Sequence, residues 1–181
     1  DSVSFNLLPG MALGLIGANG AGKTTSIRAI LGMLKIKKGQ VTLFGESRCT
    51  SKTFHRIGFA PEEATPPEYL NAREYLTFLS KLKKQDISEM KRQVEDFLNW
   101  FDLDPNKPVR KYSKGMRRRL ILAQAFLGNP DLIILDEPLN GLDPIMIQKL
   151  REKIIQYRAG GTSILYSSHI LAELETSCTD V

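Results

Sequence analysis

The chain has 181 residues, of which 42% are hydrophobic and 25% are charged, and its formal net charge is +5. These values predict one compact domain, or a core with a small inserted subdomain. They exclude a disordered chain, a fibrous repeat and, since no apolar run reaches about 18 residues, a membrane-spanning helix. The positive charge favours anionic partners without choosing among nucleic acid, anionic lipid and nucleotide phosphates.

The chain opens on an alternating apolar pattern, in which Val3, Phe5 and Leu7 are separated by polar residues. This alternation predicts an extended strand. Because the sequence starts at Asp1 close to that pattern, we expect it to be a fragment that is truncated at both ends. The two cysteines lack metal or redox spacing and are interpreted as reduced thiols of a cytosolic protein, at Cys49 and Cys178.

A glycine-rich loop follows the first buried strand, which is predicted at residues 11–17, and a helix is predicted from Lys23 to about residue 34. The loop, GANGAGKT, fits the pattern G-x-x-x-x-G-K-[ST] in this strand and helix context. Its glycines allow amide N–H groups to face inward, where the helix start adds partial positive charge. We therefore predict a nucleoside triphosphate site formed by Gly17, Ala18, Asn19, Gly20, Ala21, Gly22, Lys23, Thr24 and Thr25.

Two side chains of this loop have separate predicted roles. The Lys23 ammonium is expected to reach the terminal phosphates, and the Thr24 hydroxyl to complete the oxygen shell of a Mg²⁺ ion. The loop alone does not identify the reaction, because kinases and motor proteins share it.

In the middle of the chain the predicted secondary structure changes from strands to helices. Short strands are predicted at residues 39–45 and 56–61 from their alternation and their flanking glycines or proline. From Pro66 onward about sixty residues hold no strand candidate, and apolar residues recur there at helical spacing. We interpret this stripe as core of a helical insertion; its members are Met90, Val94, Phe97, Leu98 and Phe101.

Two further strands carry polar residues at their ends, at residues 131–138 and 162–169. In a parallel sheet such ends meet at the edge where ligands bind. Adjacent residues of a strand face opposite sides, so we assign Asp136 to the metal and Glu137 to general base catalysis on water. His169 is either structural or a donor to the transferring phosphoryl group, and a role for His55 is disfavoured.

Taken in order, GANGAGKT, YSKGM, LIILDEP, LNGLD and SSHI resemble the nucleotide-binding domain of the ATP-binding cassette (ABC) family. The resemblance covers nearly the whole chain and implies an α/β fold, a P-loop NTPase with a mostly parallel sheet (RecA-like core) and an inserted all-helical subdomain. It implies an ATP-binding core in two parts, residues 1–65 and 129–181, around a helical subdomain with the signature motif at residues 66–128.

The resemblance of YSKGM to the family signature implies a second set of site residues, which contacts the ATP held by the other subunit of a head-to-tail dimer. Ser113 and Gly115 correspond to phosphate contacts in trans, and Asp143 corresponds to the family's loop between the two sites. Ser113 is also a plausible helix N-cap, and arginines in a first turn oppose the helix dipole unless an anion is present. We assign Arg119 to support of the signature loop and interpret the two preceding arginines, Arg117 and Arg118, as surface charge.

Some positions depart from the family pattern. Lys114 and Met116 stand where glycine and glutamine are usual, and the switch glutamine is replaced by Glu62, which can still ligate Mg²⁺. The family's adenine-stacking aromatic has no counterpart, because the chain begins beyond its expected place.

The leading function that the resemblance implies is an ATPase subunit, with ATP and Mg²⁺, that dimerises and drives solute transport through an integral membrane permease. Its expected location is the cytoplasmic face of the membrane, no nucleic acid partner is expected, and the signature variant favours export. The alternatives are a non-transport ABC ATPase acting on ribosomes or DNA, and a nucleotide-binding module with little turnover.

Overall fold

A computed structural model describes residues 3–47, 50–83, 86–175 and 178 of the chain. Within these residues the strands form one four-stranded parallel sheet of order β1-β4-β3-β2. The strands are β1 (Ala12–Ile16), β2 (Ile57–Ala60), β3 (Leu132–Asp136) and β4 (Ser163–Ser168). The α-helices are α1 (Lys23–Ile30), α2 (Ser51–Phe54), α3 (Ala72–Leu82), α4 (Ile87–Trp100), α5 (Lys114–Phe126), α6 (Pro144–Ala159) and α7 (Leu171–Glu175).

Four of the six predicted strands are confirmed, and the other two, predicted at the alternating N-terminal residues and at residues 39–45, are wrong. Residues 3–8 form no strand, and Val3 remains 69% exposed. The segment 39–45 contributes only an isolated bridge, in which Leu43 and Glu46 exchange two backbone hydrogen bonds of 2.8 and 2.9 Å. Phe44 and Gly45, between them, adopt left-handed φ angles of 54° and 84°. The chain therefore reverses where the alternation alone predicted that it would continue.

Helix α5 packs directly on the sheet through a very close backbone approach. A Cβ atom built on Gly58 of β2 would lie 1.7 Å from the carbonyl oxygen of Ala125 in α5. The residues of α5 that face the core, among them Leu120, Leu122 and Phe126, are fully buried. Glycine in β2 thus allows α5 to pack closely against the face of the sheet.

Helices α3, α4 and α5 occupy the chain between β2 and β3, and α3 and α4 begin at capped positions. The Asn71 side chain and Glu74 form a reciprocal capping box at α3, and Asp86 accepts backbone N–H groups at the start of α4. The predicted apolar stripe of α4 is confirmed as core, because Met90, Val94, Phe97, Leu98 and Phe101 are all buried. The division of the chain at residues 65/66 and 128/129 stays a prediction.

Across the described ranges, none of the helices combines the length and the apolar composition that a membrane span requires. Cys178 is a free thiol, and its burial raises its pKa to about 11. The second predicted thiol, Cys49, lies outside the described residues.

The parallel order brings the carboxyl ends of the strands to one edge of the sheet. Asp136 at the end of β3 pairs in register with Ser167 of β4, and Ile16 at the end of β1 pairs with Ser168. The glycine-rich loop, the carboxylates and His169 therefore emerge beside one another, as expected for a ligand site in an open parallel sheet.

Candidate functional site

The glycine-rich loop joins β1 to α1 through two left-handed glycines. Gly20 has φ 83° and Gly22, the N-cap of α1, has φ 98°. Positive φ angles strain residues that have a Cβ atom, whereas glycine, which has none, adopts them readily. Since a glycine N-cap offers no side chain to the first N–H groups of the helix, those groups and the helix dipole are available to an anion.

Lys23 connects this loop to the carboxylate edge. Its ammonium donates to the carbonyl oxygen of Gly17 at 2.6 Å and lies 3.0 Å from Oε1 of Glu137. Both side chains are mostly shielded, with exposed fractions of 10% for Lys23 and 4% for Glu137. A cation at this place can contact phosphate oxygens in the loop and the carboxylate opposite.

Asp136 has each carboxylate oxygen bound to a hydroxyl group. The Thr24 hydroxyl donates to Oδ2 at 2.8 Å, and the Ser167 hydroxyl donates to Oδ1 at 2.6 Å. Thr24 and Asp136 offer a hydroxyl and a carboxylate oxygen, the ligand type that Mg²⁺ prefers, and two protein ligands leave positions for water and phosphate. These residues therefore fit a Mg²⁺ ion, and their role as its ligands stays a prediction.

Glu137 adopts a conformation that strand alternation did not predict. The strand ends at Asp136, and Glu137 has a left-handed φ of 46°. Its N–H donates to the carbonyl and hydroxyl oxygens of Ser167 at 3.2 and 3.1 Å. The premise that the two carboxylates face opposite sides of a strand is wrong, because this turn brings Glu137 to the same cleft as Thr24, which contacts Asp136.

His169 lies beside Glu137, with Nδ1 2.8 Å from Oε2. Its side chain is 35% exposed, so the ring connects the buried carboxylate to solvent. A catalytic role for His169 stays a prediction. His55 is exposed at the C-terminal end of α2, away from this pair of residues.

The loop and the strand ends enclose a cleft of about 220 Å³. The lining unites the two motifs with the residue predicted as a variant metal ligand: Asn19, Gly20, Gly22, Lys23, Thr24, Thr25, Glu62 and Glu137. Glu62 is exposed, and its Oε1 accepts a hydrogen bond from Asn140 at 3.4 Å. Its role toward Mg²⁺ stays a prediction. Gly17, Ala18 and Ala21 belong to the same loop and are not among the lining residues.

The predicted trans contacts are not among the residues that line this cleft. The Ser113 hydroxyl accepts the N–H of Met116 at 3.1 Å and caps α5 as predicted. Asp143 caps α6 by accepting the N–H of Met146 at 2.9 Å, a bond that lowers the pKa of Asp143. A Cβ on Gly115 would lie 3.3 Å from the carbonyl oxygen of Gly141, so the starts of the two helices are neighbours.

The three arginines of α5 have three different environments. Arg117 is partly exposed and lies 3.6 Å from Glu68, which fits the predicted surface charge. Arg119 donates to the carbonyl oxygens of Phe101 and Asp102. Those bonds support the end of α4, and the support of the signature loop by Arg119 stays a prediction.

Arg118 was predicted to be surface charge, and this is also wrong, since it is only 8% exposed. Its guanidinium donates to backbone carbonyl oxygens of two loops, at Pro61, Glu62, Asp136, Glu137 and Pro138. Burial lowers the pKa of Arg118, and the nearby carboxylates of Asp136 and Glu62 oppose that shift.

Sequence reasoning missed Arg118 and Ser167, although each carries a signal. Arg118 precedes the buried Leu122 by one helical turn and therefore lies on the face of α5 toward the sheet. Ser167 lies at the polar end of a predicted strand, and this strand pairs with β3, so that the Ser167 hydroxyl contacts Asp136.

Comparison with known proteins agrees with this geometry. The family model described as ABC transporter matches residues 1–140. The bacitracin transport ATP-binding protein BcrA of Bacillus licheniformis is 40% identical over 182 residues, which cover 97% of this chain and 58% of BcrA. A solved ATP-binding subunit of an ABC transporter has a TM-score of 0.91 and 32% identity, with 98% of this chain and 76% of that chain covered.

The ATP-binding cassette MJ0796, solved as a dimer bound to ADP and Pi, shares the fold with a TM-score of 0.84 at 20% identity, covering 96% of this chain and 81% of that chain. The chain spans between 51% and 61% of the length of three curated relatives that it matches. Both the motifs assembled in the cleft and these matches lead to one conclusion: the chain belongs to the ABC transporter family of ATP-binding proteins.

Proposed function

We propose that the chain binds and hydrolyses ATP as part of an ABC transporter and energises solute transport through a membrane permease. The observation that carries the proposal is the single cleft in which Lys23, Thr24 and Glu137 surround one space, with Asp136 bonded to Thr24. These groups supply a phosphate cradle, a metal site and a candidate base, which together constitute the parts that hydrolysis of a nucleoside triphosphate needs.

In this proposal the loop amides and the start of α1 hold the phosphates of ATP. Lys23 exchanges its contact with Glu137 for the terminal phosphate, which leaves the carboxylate free to accept a proton from water. The water oxygen bonds to the terminal phosphorus while the bond to the bridging oxygen of ADP breaks. A Mg²⁺ ion on Thr24 and Asp136, with Glu62 nearby, would neutralise charge on the phosphates.

A second copy of the cassette completes the proposed site. Ser113 and Gly115 begin α5 outside the cleft of their own chain, where the free N–H groups of the helix start can meet an anion of a partner. The solved MJ0796 cassette has the same fold and is dimeric, which supports a site completed by a second chain. Asp143 is close to this surface through its loop and is proposed to link the two sites.

The transport part of the proposal comes from the family and from relatives such as BcrA, whose name states bacitracin transport. We propose an integral membrane permease as partner, export as direction and the cytoplasmic face of the membrane as location. The test is a gentle detergent extraction of the full-length protein from its native cells, followed by mass spectrometry of what co-purifies.

A near-stoichiometric membrane protein that stimulates ATP turnover would support the transporter. Ribosomes or DNA in its place would contradict it and favour the non-transport class of ABC ATPase. Glu137→Gln, measured in the same preparation, checks that any turnover belongs to this cleft and not to a contaminant.

A further inference from the structure

Arg118 is the buried cation of α5 that neither the family motifs nor the proposed mechanism uses. All three guanidinium nitrogens donate to backbone oxygen atoms. Nη2 lies 2.8 Å from the carbonyls of both Asp136 and Glu137, Nη1 contacts the carbonyls of Pro61 and Glu62, and Nε lies 3.4 Å from Pro138. The planar guanidinium thus joins two loops that follow neighbouring strands, β2 and β3.

The second loop contains the turn that places the candidate base. Glu137 has a left-handed φ of 46°, a strained conformation for a residue with a side chain, which persists only where surrounding contacts fix it. Ser167 holds its N–H from the side of β4, and Arg118 holds its carbonyl from the side of α5. The two contacts fix the peptide groups on both sides of the Glu137 side chain.

The first loop begins with Pro61 and Glu62 and leads from β2 toward α3. Arg118 therefore holds the backbone of the predicted metal ligand Glu62 and that of the predicted base Glu137 at one centre. It lies in the second turn of α5, whose first residues are proposed to meet the ATP bound by a partner chain. A shift of α5 would reach both loops through this one side chain.

We propose that Arg118 is a positioning residue for ATP hydrolysis, which transmits the position of α5 to the backbone that carries Glu62 and Glu137. The inference rests on the proposed function. A merely structural guanidinium would affect stability alone, whereas a positioning residue changes turnover more than substrate binding.

The test uses Arg118→Gln and Arg118→Lys in the full-length protein, with Arg117→Gln as the matched control from the exposed side of the same helix turn. Glutamine keeps a hydrogen-bond donor and loses the charge and the fork, while lysine keeps the charge with three donors. We expect kcat to fall roughly 10- to 100-fold in Arg118→Gln, the scale of a catalytic group misplaced by about 1 Å. The KM for ATP is expected to change less than about threefold, with partial recovery of kcat in Arg118→Lys.

Circular dichroism and thermal unfolding establish which variants are folded. If Arg118→Gln does not fold, the kinetics of Arg118→Lys test the proposal in its place. A folded Arg118 variant with the kcat of wild type would overturn the positioning role, as would a rise in KM equal to the loss in kcat/KM. Absence of turnover in wild type would instead overturn the proposed function. In that case positioning is judged by the crystal structure of Arg118→Lys, where an unchanged Glu137 turn would overturn it too.

Discussion

The two functional regions of this chain differ in how many of their polar groups are bonded within one molecule. At the sheet edge, bonds within the chain link the polar groups. Lys23 pairs with Glu137, the N–H of Glu137 donates to the Ser167 hydroxyl, and Asp136 accepts from the hydroxyls of Ser167 and Thr24. At the start of α5, Ser113 bonds only within its own cap among the contacts described, and the side chain remains exposed. The edge is preorganised by its own chain, whereas the signature surface fits a site that a second chain completes.

The first prediction for the sheet edge concerns Asp136, the proposed Mg²⁺ ligand. Asp136→Asn keeps the shape and removes the charge that Thr24 and Ser167 now orient, so we expect kcat to fall by about 10²–10³, the scale of lost electrostatic stabilisation at an active site. Phosphate release at varied Mg²⁺ concentration measures it. Asp131→Asn, at the other end of β3, is the matched control, and equal rates for the two variants would contradict the assignment.

A second substitution tests how much the close packing of α5 against β2 stabilises the sheet edge. Gly58→Ala would place a Cβ 1.7 Å from the Ala125 carbonyl oxygen, so α5 must move away from β2. Overpacking of this kind costs about 1–3 kcal/mol in the free energy of unfolding. Chemical denaturation measures the loss. A variant as stable as wild type would show that the close approach of helix and sheet contributes nothing to the edge.

The signature surface is tested by separating its helix cap from its proposed contact with the partner's nucleotide. Ser113→Ala loses the bond to the N–H of Met116 and should cost about 1 kcal/mol of stability. Ser113→Asp keeps a cap and places a negative charge near phosphate, so stability should be retained while ATP-dependent dimerisation falls. Light scattering with ATP measures the dimer, and normal dimerisation of both variants would remove Ser113 from the interface.

The smallest effect concerns the link between α3 and β2. The Lys83 ammonium donates to the Ile57 carbonyl at 3.0 Å, and burial lowers the pKa of Lys83 from 10.5 to about 8. The unfolded state therefore binds more protons between these pH values, and this group adds stability as pH rises through the window and loses it as pH falls toward 8.

Lys83→Met removes this dependence. Relative to the variant, wild type should gain about 1 kcal/mol of stability between pH 7 and pH 9. The comparison cancels Cys178, whose pKa is raised to about 11 and which acts in the opposite direction. A pH-independent difference between the two proteins would contradict the assignment.

The sequence predicted those parts of the site that depend on local order along the chain. The loop before α1, the strand before Asp136 and the cap at Ser113 follow from spacing and residue type, and the structure places them as expected. The turn at Glu137 depends on contacts between β3 and β4, which no local pattern contains. The helical spacing of Arg118 from Leu122 indicates that it is buried, but it does not indicate which loops its guanidinium contacts. Similarly, alternation at residues 39–45 could not show that the chain reverses at Phe44 and Gly45.

The most direct test of the central claim is Glu137→Gln in the full-length protein, with the exposed Glu63→Gln as its matched control. A general base contributes roughly 10²–10⁴ in rate, so we expect phosphate release to fall by that factor while ATP binding and the ATP-induced dimer are retained. The control should hydrolyse at the rate of wild type. Undiminished phosphate release by Glu137→Gln would contradict the account, because the carboxylate that the whole edge positions would then have no part in hydrolysis.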